Sequence, residues 1–288
     1  MPIDLSVSRW TRDVAVTQWN RDDGALAAIG GALPPAIATE RALGEVHRLD
    51  LSLFVVFEEV ALRVSGALAR SAPSPDALAF AAQQTLDEAR HHEIFARRLA
   101  QSTAAWGTRA GGDDILIPPL RKFIELCYEV ADRGAFVDGL VLTNLVLEGM
   151  AYPLYGYEER YWKPVDPYLA RLIASAFADE TRHVAFGAAL VTKALDDDRA
   201  ARARVQRLTH DARRVMGEVF DYYVRKFVKL FDAVARRHRS LFADAELEPG
   251  RRLADTPYED QIASIRHRID TEHARLLGRA GLEDACAG

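Results

Sequence analysis

Cysteine is nearly missing from this chain, which holds only Cys127 and Cys286 in 288 residues. The two lie far apart, with Cys286 close to the C-terminus, so a disulfide framework is excluded and free thiols in a reducing cytoplasm are expected. Long apolar runs are lacking too. The longest, Leu51 to Phe57 and Gly139 to Leu147, read as buried helix and fall short of the ~18 residues that a membrane-spanning helix needs. No basic stretch followed by an apolar core opens the N-terminus, so no secretory signal is visible. Positive charge is not in excess: 37 Lys and Arg stand against 42 Asp and Glu, a formal net charge of −5. That balance supplies no electrostatic reason to expect nucleic acid or a membrane surface as partner. Alternating β-branched residues are scarce as well, which argues against a fold built on sheets.

What the chain does contain is Ala, Leu, Arg, Glu and Asp in abundance, and helix is the natural reading. Clusters of breakers divide it. Pro34-Pro35 ends an irregular N-terminal arm, and Ser71 to Asp76 forms a tight turn in which Ser74 or Asp76 can cap the next helix. Thr103 to Pro119 marks a surface crossing, Glu158 to Pro167 and Asp196 to Asp198 are further breaks, and Asp244 to Pro257 is a last loop. Helical segments are predicted over roughly 37–70, 76–102, 119–157, 166–195, 200–241 and 257–278, with a kink in the third at Gly134 or Gly139. No linker separates them, so we expect one domain over 1–288. Its bundle occupies about 37–197, and bracing helices, suited to a homodimer interface, occupy about 200–278.

Two pentapeptides match each other: Asp87-Glu88-Ala89-Arg90-His91 and Asp179-Glu180-Thr181-Arg182-His183. Each sets a carboxylate and an imidazole at i and i+3, adjacent on one helix face. Glu-x-x-His alone is expected roughly half a time by chance in such a composition, but the longer form only on the order of a hundredth of a time. Here it occurs twice.

One helix before each copy stands a glutamate on an apolar stripe. Glu58 shares its face with Leu51, Phe54, Val55, Ala61, Leu62 and Ser65, whereas the neighbouring Glu59 shares a poorer one with Ser52, Arg63 and Gly66. Glu58 is the better candidate of the two. Glu148 follows Val141, Asn144 and Leu145, and Glu180 lies among Ile173, Ala176, Phe177, Val184 and Gly187. Charged groups are almost never fully buried unless paired or coordinated. Four carboxylates in an apolar interior repel one another, and two divalent cations remove that cost. Oxygen and imidazole donors without thiolate suit iron or manganese. The order Glu, Glu-x-x-His, Glu, Glu-x-x-His is the ligand pattern of dinuclear helical bundles.

On these residues the chain resembles the ferritin-like di-iron carboxylate proteins, and within them the oxygen-activating branch: monooxygenase hydroxylases, ribonucleotide reductase small subunits and aromatic-amine N-oxygenases. The resemblance covers roughly residues 45–195. It implies an all-α, ferritin-like four-helix bundle with additional C-terminal helices. It further implies that Glu58, Glu88 and His91 hold one metal, that Glu148, Glu180 and His183 hold the other, and that Glu88 and Glu180 bridge. Asp87 and Asp179 would each accept the free ring N–H of a ligand histidine from the opposite half. The implied cofactors are two Fe ions, or Mn/Fe with the same donors, together with O2 and an external electron donor such as a reductase or ferredoxin.

Departures narrow the subfamily. The radical-bearing tyrosine of the reductases is replaced by Phe95, the extra histidine of the N-oxygenases by Ala176, and the threonine of the monooxygenases by Tyr152. Tyr152 nevertheless shares the Glu148 face one turn on and is a candidate catalytic residue. Tyr155, Tyr157, Tyr161 and Trp162 read chiefly as packing. His92 reads as packed or solvated, His210, His238, His267 and His273 as surface residues, and Arg90 and Arg182 as ion-pair partners. The expected activity is O2-dependent hydroxylation, desaturation or N-oxygenation of a small organic molecule, with Ala61, Ala151, Ala176 and Gly187 leaving it room. The other readings are a ferroxidase or iron-handling protein and a radical-generating Mn/Fe subunit.

Overall fold

The computed structural model describes residues 32–106 and 115–283. The N-terminal arm before residue 32, the middle of the surface crossing and Cys286 lie outside the described residues. A short helix α1 (Pro35–Thr39) leads into two long ones, α2 (Arg41–Ser71) and α3 (Pro75–Trp106). Helices α4 (Pro118–Asp132) and α5 (Phe136–Leu140) run into a π-helical stretch, Val141–Glu148, and then α6 (Gly149–Trp162). Helices α7 (Pro167–Asp197), α8 (Arg199–Arg237) and α9 (Tyr258–Arg279) complete the set. The expectation of an all-helical bundle is met, with one addition in the loop before α9. There Glu246–Glu248 (β1) pairs antiparallel with Arg251–Arg252 (β2) around Gly250, whose φ of 81° favours glycine.

The boundaries have local causes. Ser74 Oγ accepts the N–H of Ala77 at 3.2 Å at the start of α3. Asp166 caps α7 by accepting the N–H of Leu169 at 3.1 Å, with Pro167 at the first helical position. The predicted third segment breaks at Gly134, where φ is 63°. Gly139 causes no break; it allows the Leu68 side chain to approach where a Cβ would stand 2.5 Å from Leu68 Cδ2.

The core is continuous from Ile37 to Leu282, and α2 and α3 are its most extensively paired helices. At one end Asp166 gathers three helices. His47 Nε2 of α2 lies 3.0 Å from Asp166 Oδ2, and Arg98 of α3 donates to the same carboxylate through Nη2 at 2.7 Å. Burial opposes ionisation of Asp166, but His47 and Arg98 outweigh it and hold the carboxyl below its ordinary range. No helix among the described residues is long and apolar enough to cross a membrane.

Candidate metal centre

Helices α2, α3 and α7 and the π stretch bring Glu58, Glu88, His91, Glu148, Glu180 and His183 to one place in the core, all buried. They form two overlapping groups. Glu58, Glu88, His91 and Glu180 make one, and Glu88, Glu148, Glu180 and His183 the other, with ligand atoms in each within 4.8 Å of one another. Glu88 and Glu180 belong to both, the arrangement that bridging requires. Glu59 turns outward into an exposed pair with Arg63 at 2.6 Å.

The two halves cross. His91 Nε2 lies 3.0 Å from Asp179 Oδ2, and His183 Nε2 lies 3.2 Å from Asp87 Oδ2. Each imidazole is therefore held through Nε2 by an aspartate from the other motif and presents Nδ1 to the centre. Arg90 pairs with both Asp87 and Asp179, and Arg182 with Asp179, so these arginines fix the aspartates.

The inward atoms are left without hydrogen bonds. Nδ1 of both histidines, Glu88 Oε2 and Glu180 Oε2 are buried and have no hydrogen-bond partner. Unpaired buried polar atoms are costly. Here they converge, with His91 Nδ1 3.3 Å from Glu58 Oε2 and 3.4 Å from Glu180 Oε1, and His183 Nδ1 3.2 Å from Glu88 Oε1. A hard or borderline cation at each focus satisfies the whole set, so the residues present fit a dinuclear centre.

Electrostatics agrees. Burial, with repulsion from Glu88 and Glu180, raises the Glu58 carboxyl well above its ordinary value against the opposing pull of His91. Burial likewise raises Glu148, reinforced by the charge of Glu180. Burial opposes the charge on Glu88 too, but the His183 and His91 imidazoles overcome it and hold that carboxyl down. Burial disfavours the imidazolium of His91, yet Glu58 and Asp179 raise it well above its usual range. Without cations the cluster must hold protons; divalent ions displace them.

Two amides that the sequence reading did not single out complete the shell. Gln84 donates to Glu148 Oε1 at 2.7 Å and to Glu88 Oε1 at 3.3 Å. Asn144 donates to Glu148 Oε2 at 3.1 Å. Both precede a site glutamate by four residues, which was the available signal. The π-helix sets Asn144 and Glu148 inward together, and Gly187 makes space opposite, since a Cβ there would meet Asn144 Cβ at 2.5 Å. Such π turns recur at functional sites.

Three expectations are corrected. Tyr152 does not face the centre: it packs on Phe177 at 4.5 Å between ring centroids and lines a separate surface groove with Gly149 and Leu276. The cavity lies on the other side of Glu148, where Ala151 and Tyr155 project. Ala176 and Gly187 pack away from the cavity, whereas Ala61 and Ala151 line it. His273 is fully buried rather than exposed, because it continues the stripe of Ile262, Ile265, Ile269 and Leu276. Its Nε2 donates to the Leu145 carbonyl at 2.8 Å inside the π stretch. His210 and His267 are exposed as expected.

A cavity of about 70 Å³ adjoins the centre. Glu58, Glu88, Glu148 and Glu180 close one end, and Leu53, Phe54, Phe57 and Leu154 form apolar walls. The wall opposite comes from α8, through Phe220, Val224 and Phe227, and from Ile265 of α9. The C-terminal helices therefore shape the cavity as well as brace the bundle. Phe95 stacks on Phe54 at 4.3 Å and is fully buried.

A helical bundle carrying this paired Glu and Glu-x-x-His set defines the class: the chain belongs to the ferritin-like, oxygen-activating di-iron superfamily. Residues 48–198 match the Methane/Phenol/Alkene Hydroxylase family, so the chain is a member of that family. Solved structures share the fold. A protein with aldehyde deformylating oxidase activity from Synechococcus aligns with a TM-score of 0.61 at 16% identity, over 87% of this chain and 96% of the other. An R2-like ligand-binding oxidase variant with an anaerobically reconstituted Mn/Fe cofactor aligns with a TM-score of 0.59 at 18% identity, over 92% and 94%. No curated protein matches the chain by sequence.

Proposed function

We propose that this chain is an O2-dependent dinuclear-metal oxygenase or oxidase that acts on a small organic molecule held in the cavity. Glu58, Glu88, His91, Glu148, Glu180 and His183 would hold two irons, or manganese and iron. The observation that carries this reading is the continuity of the apolar cavity with the four site carboxylates, so that a substrate lies against the metal ligands without intervening protein. A centre devoted to iron turnover alone has no use for such a space.

When bound, the metal pair supplies Lewis acidity and redox chemistry toward O2. The chain supplies the rest. Asp87 and Asp179 fix the imidazoles, Gln84 and Asn144 orient Glu148, and the apolar walls exclude water and position the substrate. An external donor such as a reductase or ferredoxin would supply the electrons.

The test is to load the protein anaerobically with ferrous iron and a chemical reductant, add candidate apolar substrates, admit labelled O2 and analyse products by mass spectrometry. Oxidised or desaturated product formed in proportion to protein supports the reading. Accumulation of hundreds of irons per oligomer with no organic product would instead establish iron storage.

A further inference from the structure

The end of the cavity away from the metal ligands is not apolar. Asp50 and Glu158 line it together with Tyr157. Their carboxyl groups are in hydrogen-bonding contact with each other, and Trp162 Nε1 donates to Asp50 Oδ2 at 2.5 Å. The Tyr157 hydroxyl is buried, in a residue only 3% exposed, and has no hydrogen-bond partner. Among the described residues that line the cavity there is no Lys, Arg or His. Metal ions would account for Glu58, Glu88, Glu148 and Glu180, but no cationic side chain of this lining serves Asp50 and Glu158.

We propose that this distal end recognises an ammonium group, and that the substrate is a slender apolar primary amine anchored there by Asp50, Glu158 and Tyr157. The inference rests on the oxygenase reading above for the word substrate, but not for binding. An ammonium offers three N–H donors, matching two carboxylates and a hydroxyl oxygen. It also supplies positive charge beside the buried Asp50 and the half-buried Glu158. Burial raises Asp50 to about 7 and Glu158 well above its usual value, as befits an acid pair that lacks its cation. A carboxylate end would meet like charge. An alcohol would satisfy hydrogen bonds but leave the charge uncompensated.

Length is set by the helices. Asp50 and Glu58 lie on one straight helix, and eight residues at the helical rise separate them by about 12 Å. The narrow cavity favours an unbranched chain over a ring, and once a hydrogen bond at Asp50 and van der Waals contact at the ligand carboxylates are allowed for, an amine of about five carbons fills the span.

The test is isothermal titration of the ferrous-loaded protein, kept anaerobic, with pentylamine, pentanol and pentanoate. Pentylamine is expected to bind about 10- to 100-fold more tightly than either of the others, and Glu158→Gln to remove that preference. Tyr157→Phe, which leaves the acid pair intact, is expected to weaken pentylamine while sparing pentanol. Equal or tighter binding of pentanoate or pentanol, or unchanged pentylamine affinity in both variants, would overturn the proposal. The two readings fail separately: amine binding without any oxidised product removes the oxygenase assignment alone, and oxidation of a neutral substrate without amine preference removes the anchor alone.

Discussion

His183 Nε2 lies 3.2 Å from Asp87 Oδ2, so the histidine of the second motif is held by the aspartate of the first. The converse pair, His91 and Asp179, lies at 3.0 Å. Each half of the centre is thus oriented by the other half, and neither motif is complete alone.

Removing either aspartate therefore affects the imidazole of the opposite motif. Asp87→Ala frees His183 and Asp179→Ala frees His91, and each is expected to weaken metal binding about 10- to 100-fold. Chelator competition measures this. Affinity unchanged from wild type in both variants would show that the aspartates merely balance Arg90 and Arg182.

The Asp-Glu-x-Arg-His repeat exposed most of this arrangement in the sequence, because i and i+3 spacing fixes a helix face whatever the tertiary structure. Glu58 was legible from its apolar stripe, and Glu59 does turn out to solvent. Tyr152 was not legible in this way, because helical spacing places a residue near Glu148 without saying which side of Glu148 the cavity occupies. The π-helix was not legible either, because its wider turn leaves no mark in the periodicity of a short, largely apolar stretch. The C-terminal helices were legible as amphipathic, but what lies across from Phe220 and Phe227 is a tertiary fact.

The buried His273 makes stability depend on pH. Burial depresses it from 6.5 to about 4, against the pull of its bond to the Leu145 carbonyl. Between those values the unfolded chain holds a proton that the folded chain does not, so stability falls as pH drops from 6.5 toward 4. The full loss is about 3 kcal/mol, and above 6.5 it vanishes. His273→Gln keeps an N–H donor without titrating. Denaturant unfolding at several pH values is expected to show a wild-type-minus-variant difference that grows more unfavourable on acidification; a constant difference would contradict the assignment.

Gly187 is required by Asn144. A Cβ at position 187 would stand 2.5 Å from Asn144 Cβ and 2.8 Å from its Cγ. Asn144 cannot yield easily, being tied to Glu148, to Gln84 and to the His183 carbonyl. Gly187→Ala is expected to cost about 1–3 kcal/mol in unfolding free energy. In an Asn144→Gly background, which removes the opposing Cβ, the same change is expected to be nearly neutral, a coupling that a double-mutant cycle reads directly. Additive effects would place the clash elsewhere.

Acidic groups gathered in an apolar core are sustained by cations, and metal stoichiometry tests this most directly. Elemental analysis of the ferrous-loaded, desalted protein is expected to find two irons per chain, falling to one or none in Glu180→Ala, because Glu180 belongs to both groups. Wild-type protein that retains no metal, or Glu180→Ala that retains both ions, would contradict the account.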